Sequence, residues 1–150
     1  MPTRSELDAA YRATRYRVFL PGGVRELRIG TPDGTLAAWL AGEGAADWAV
    51  LTACNPASKR LAEAENRVRQ AALEVALLEM GLEPYTAENV ADHAGWPAEE
   101  SCFVTGLRAD AARGLAARFG QNALVCGAAD GVPRLVWITA AVDGDESEDR

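Results

Sequence analysis

From Trp48 to Cys54 every position but Thr52 is apolar, and the run stops at Asn55-Pro56-Ala57-Ser58 before a helical pattern that reaches Met80. That succession predicts strand, tight turn and helix, with short polar side chains gathered at the C-terminal end of the strand. So continuous an apolar run is expected of a central strand covered on both faces. In the following segment, about Lys59 to Met80, a wheel with Leu61 at 0° places Ala64, Val68, Ala72 and Val75 within about 60° of it, which predicts a buried stripe. Lys59, Glu63, Arg67, Gln70 and Glu74 then face solvent. Glu65 falls near 40°, inside the apolar arc, where a carboxylate is costly without a partner. An ion pair with Arg69, one turn on, would satisfy it. So would a pocket lined by Glu65 and Asn66 beneath the 55–58 turn.

Ser5-Glu6-Leu7-Asp8 reads as the start of a short helix with Ser5 as cap, ending by about Thr14. The runs 16–20 and 25–29 flank Pro21-Gly22-Gly23 as an edge hairpin with one wet face. A short helix around Leu36–Leu40 is stopped by Gly42 and Gly44. Beyond Gly81 the pattern predicts strands at 84–90 and 100–107, a loop at 92–97, a helix over 109–119, and strands at 123–127 and 134–139.

Between residues 47 and 127 the order is strand, helix, strand, strand, helix, strand, the split βαβ arrangement of ferredoxin-like folds. The expected class is α+β: a single domain with a mixed or largely antiparallel sheet, a ferredoxin-like βαββαβ core, and an N-terminal helix and hairpin. A doubly wound parallel sheet is disfavoured, because the connection between the strands at 85–90 and 100–107 is too short for a crossover.

Composition narrows the class further. With 150 residues, 49% hydrophobic, the chain can bury roughly two thirds of its unfolded surface without staples. The formal charge of −7 divides into −4 on residues 143–150, expected to be an acidic disordered tail, and −3 on residues 1–142, the globular domain. Bulk charge thus gives no support to nucleic-acid binding. Arg12, Arg15, Arg17, Arg25 and Arg28 read as a solvated face. The polar N-terminus and the lack of an apolar run near ~18 residues point to a cytoplasmic protein with no membrane partner. Three widely spaced cysteines, Cys54, Cys102 and Cys126, read as reduced core thiols. One histidine, His93, excludes multi-histidine metal sites. No cofactor is expected; the glycines of a P-loop or dinucleotide fingerprint are missing, so a nucleotide is only one possible ligand. Composition does not set an oligomeric state.

Thr52-Ala53-Cys54-Asn55-Pro56-Ala57-Ser58, Glu65-Asn66, Glu100-Ser101 before an apolar strand, and Phe119-Gly120-Gln121-Asn122-Ala123 together resemble a bacterial family catalogued as domain of unknown function 3293. The resemblance runs over most of residues 16–138 and implies no activity. The family often carries an aromatic at the position of Cys54, which argues against a catalytic role for this thiol.

Each candidate has a plain and a functional reading. Asn55-Pro56-Ala57-Ser58 caps the helix, or its amides bind an anion or polar ligand. Gln121-Asn122 is an ordinary polar loop, or a pair of carboxamides facing a ligand. Glu65 and Glu100 are surface acids, or supply a general base. The leading expectation is a small-ligand or peptide binding or regulatory module, with Asn55, Ser58, Glu65, Asn66, Gln121 and Asn122 forming a polar pocket near the 54–58 turn. Alternatives are an enzyme, hydrolytic or nucleotide-directed, using Glu65 or Glu100, and an edge-strand interaction module without a pocket. A serine hydrolase lacks its nucleophile elbow, and His93 is the only available base.

Overall fold

The protein's structure, a computed structural model, describes residues 2–93 and 95–138. The tail expected at 143–150 lies outside them. Helices α1 (Arg4–Arg12), α2 (Gly34–Glu43), α3 (Glu63–Glu79) and α4 (Ala109–Arg118) accompany seven strands: β1 (Thr14–Leu20), β2 (Gly23–Leu27), β3 (Trp48–Leu51), β4 (Tyr85–Ala91), β5 (Glu99–Thr105), β6 (Ala123–Gly127) and β7 (Arg134–Trp137). Thr3, rather than Ser5, caps α1: its side chain accepts from the Glu6 amide, and the Glu6 carboxylate accepts from the Thr3 amide at 2.8 Å.

The strands form one antiparallel sheet in the order β2-β1-β4-β5-β3-β6-β7. The sheet is curled, and the segments flanking its two outer strands meet. Gly30 N donates to Pro133 O at 2.8 Å, and Asp33 N to Gly131 O at 3.0 Å.

Pleating divides the interior into two layers. Ala49, Leu51, Cys102, Val104, Leu124 and Cys126 face Leu73, Ala76 and Leu77 of α3 and Leu115 and Ala116 of α4. Trp48, Val50, Phe103 and Val125 point the other way, toward Leu36 and Leu40 of α2 and Tyr16 and Val18 of β1. β3 is thus covered on both faces, as its apolar run implied. The three cysteines are buried and free of disulfides. Burial pushes the thiols of Cys102 and Cys126 up to about 12, as fits packing groups rather than nucleophiles. Arg12, Arg15, Arg17, Arg25 and Arg28 each lie within 4 Å of a carboxylate; the closest pair is Arg17 with Glu88 at 2.7 Å.

The stripe expected on α3 is corrected. The helix begins at Glu63, and Ala64, Val68, Ala72 and Val75 face solvent, with Val68 71% and Val75 52% exposed. Gln70, Leu73, Ala76 and Leu77 are buried instead. The reason lies at the end of β3. Its pairing stops at Leu51, so the backbone of residues 53–55 enters the interior without a strand partner, and buried backbone groups must be satisfied. Gln70 Oε1 accepts from Ala53 N at 2.9 Å, Arg69 Nε donates to Ala53 O at 2.7 Å, and Asn66 Oδ1 accepts from Asn55 N at 2.9 Å. Polar side chains therefore occupy the inward face of the first half of α3. Glu65, expected within the buried arc, is exposed, and Arg69 serves two carbonyls, of Ala53 and Phe119, in place of the anticipated pair with Glu65. Among the described residues no helix is long and apolar enough to cross a membrane.

Candidate functional site

Beyond β3 the chain takes a shape that ordinary residues avoid. Asn55 (φ 47°), Ala57 (φ 55°) and Ser58 (φ 62°) all adopt left-handed backbone conformations, around Pro56. Each costs of order 1 kcal/mol or more, least for asparagine, and persists only where neighbours hold it. The neighbours here belong to the loop before β6. Ala57 N donates to Gly120 O at 2.8 Å, Gln121 Nε2 to Cys54 O at 3.0 Å, and Asn122 Nδ2 to Ser58 Oγ at 3.0 Å.

This geometry overturns both first readings of Asn55-Pro56-Ala57-Ser58. The cap of α3 is Ala62, with no side-chain cap bond. The amides of Ala57, Ser58 and Lys59 are already given to Gly120, Asn55 and Pro56 carbonyls, so the turn offers no cradle of free donors to an anion. Asn55 works as a clasp. Its Oδ1 accepts from Leu61 N at 2.9 Å and Asn66 Nδ2 at 2.8 Å, while its Nδ2 donates to Glu99 Oε2 at 2.8 Å. Asn55→Ala is expected to lower unfolding free energy by about 2 kcal/mol, by orphaning these partners and placing alanine in a left-handed conformation. Asn55→Gly, free of the backbone penalty, should lose visibly less in urea denaturation.

The clasp stands at the polar end of a cavity of about 330 Å³. Its floor includes Tyr16, Val50 and Val125 of the sheet, its outer wall Leu7, Ala10 and Tyr11 of α1, and its mouth His93 and Trp96. Thr52, Asn55, Ser58, Asn89, Glu99 and Gln121 supply the polar end. Strand register sets part of this group, since Tyr16, Asn89 and Glu99 stand abreast on β1, β4 and β5. Glu99 receives Asn55 Nδ2 and, at 3.4 Å, Asn89 Nδ2, and Ser101 Oγ donates to Asn89 Oδ1 at 2.8 Å. Burial raises the Glu99 carboxyl above the usual carboxylate range, with the two carboxamides pulling the other way. Burial, then the charge of Glu99, pushes the Tyr11 phenol up to about 12, partly offset by the Ala123 backbone and Ser58. A second hollow, about 320 Å³, lies against Asn55 and Glu99 and is bordered by Arg60, Asn66, Arg67 and Glu100.

Of the residues expected at a pocket, Asn55, Ser58 and Gln121 line the cavity, Asn122 holds Ser58, and Asn66 holds Asn55 from the second hollow. Glu65 and Glu100 do not line the cavity. Glu65 is exposed on α3, and Glu100 sits on the pleat opposite Glu99, its carbonyl accepting from Thr52 Oγ1 at 2.8 Å. Glu99, Asn89 and Tyr11 were missed. Strand parity carried the signal for Glu99, which shares the side of Phe103 where Glu100 shares that of Cys102. Cys54 is buried, with its thiol raised chiefly by burial. Among the described residues no group of three or more His, Cys, Asp and Glu side chains is placed to hold a metal ion.

Residues 51–124 match the model of a family described as Protein of unknown function (DUF3293). The matched segment contains the clasp, Asn89, Glu99 and Gln121, while α1 and Tyr11 precede it. No curated protein and no solved structure matches the chain.

Proposed function

We propose that this chain, similar to DUF3293 proteins over its central half, is a binding module for a small molecule, held in the cavity between α1 and the sheet. One observation carries the reading: residues far apart in sequence, from α1, the 52–58 turn, β4, β5 and the loop before β6, bring their polar atoms to one end of a concave, otherwise largely apolar space. Such a combination is the usual form of a ligand site. The strained turn adds support, because left-handed conformations at Ala57 and Ser58 serve no need of α3, which starts later.

A fragment library added to isotope-labelled protein tests this. Binders should perturb amide signals of residues 10–11, 52–58, 89–99 and 121–123. Binders that map only to other surfaces, or none from a broad library, would remove the reading. Glu99 also favours a second one, an enzyme in which it, rather than Glu65 or Glu100, moves a proton, because burial raises its carboxyl and Ser58 and Tyr11 stand close by.

The finer expectations join the proposal. The inner strand order β4-β5-β3-β6, with α3 and α4 packed on one face, supports a ferredoxin-like core. Free buried thiols support a reducing, cytoplasmic setting. The pairing of the five arginines with acids supports the absence of a nucleic-acid partner.

A further inference from the structure

We propose that the occupant of the cavity is a small organic cation, a protonated amine or amidine on an apolar body, with its charged end against Glu99. This rests on the cavity being a ligand site and adds the class of ligand. The charge of the wall decides it. Among the described residues, Glu99 is the only carboxylate that lines the cavity, and no lysine or arginine does. A phosphate or carboxylate ligand would meet this like charge at the polar end, where the only imidazole, of His93, stands at the mouth instead.

Among the described residues, the donors to the Glu99 side chain are the carboxamides of Asn55 and Asn89, which orient the carboxylate without neutralising it. A carboxylate drawn out of bulk water in this way is stabilised most by an approaching cation. Leu7, Tyr11, Val50 and Trp96 give an apolar or aromatic body its contact surface, and about 330 Å³ confines that body to a small one.

Acidity supplies an independent readout. Burial raises the Glu99 carboxyl, and an ammonium beside it must lower it again. Among the described residues, the other titratable groups facing the cavity are Tyr11 of α1, Tyr16 of β1 and His93 of the loop after β4, and the second hollow brings Arg60, Glu63, Arg67 and Glu100 to the other side of Glu99. A signal from Glu99 itself therefore has to be followed.

The test uses the full chain with benzylamine and benzamidine as cations, benzyl alcohol and benzamide as neutral counterparts, and benzoate as the anion, read by calorimetry and thermal shift. The two cations should bind and raise Tm, the neutral probes and benzoate should not, and Glu99→Gln should weaken the cations by about thirtyfold or more. If that variant does not fold, the ¹³C shift of the Glu99 carboxyl in the wild-type protein, followed against pH, decides. Benzylamine should move its titration to lower pH. Binding of neutral or anionic probes without the cations would overturn the ligand class and leave the cavity reading intact. Cations that bind Glu99→Gln as well as wild type, or that leave the Glu99 titration unmoved, would also overturn it. Silence from all five probes overturns the class, while silence from the broad fragment library removes the cavity reading itself.

Discussion

Leu73→Ala is expected to lower the unfolding free energy by about 2–5 kcal/mol, whereas Val68→Ala on the same helix should stay within about 0.5 kcal/mol of wild type. Leu73 is 1% exposed and packs in the layer between α3, α4 and the sheet, so truncation leaves a void that the surrounding strands cannot close. Val68, at 71% exposure, leaves none. The pair discriminates between two orientations of α3, because the stripe legible in sequence has Val68 buried. Urea midpoints at unchanged m-value would measure it. Comparable losses at both positions would contradict the observed face.

Gly127→Ala should cost about 3 kcal/mol, at the upper end for overpacking. A methyl built on Gly127 would stand 2.1 Å from Cζ2 and 2.3 Å from Cε2 of Trp48. The indole has little room to retreat. It is 0% exposed, its Nε1 donates to Ala128 O at 2.8 Å, and Phe103 lies against it at a centroid distance of 5.5 Å. Trp48→Phe removes the atoms in conflict, so the alanine should do much less harm in that background. A double-mutant cycle by thermal or urea denaturation should give a favourable coupling of about 1–2 kcal/mol. A coupling near zero would mean that the backbone of β6 yields instead of the ring.

The elements were largely legible because each carries its own periodicity and punctuation: the apolar run 48–54, the Gly-rich turn at 21–23, Gly81 and Gly120 after their helices. The facing of α3 was not, because small apolar residues lie on both of its sides. Its choice was made by the unpaired backbone of residues 53–55, a demand that arises only once β3 has its neighbours. Similarly, Asn55 and Gln121 stand out as polar residues beside apolar runs, but that they share a cavity depends on the strand order. The choice between Glu99 and Glu100 needed only parity, read back from Phe103. The spacing of Leu7, Ala10 and Tyr11 marks one face of the first helix, but that this face closes a cavity follows from the curl that brings the helix over the sheet.

That placement of α1 carries a kinetic consequence. The helix has no fully buried residue, and Tyr11 meets Trp137 edge-on while the Arg4 guanidinium stacks over the same indole. A segment so lightly fastened unfolds locally at little expense, far below the free energy of global unfolding. The amide hydrogens of its nine residues should accordingly exchange with solvent long before those of the sheet beneath.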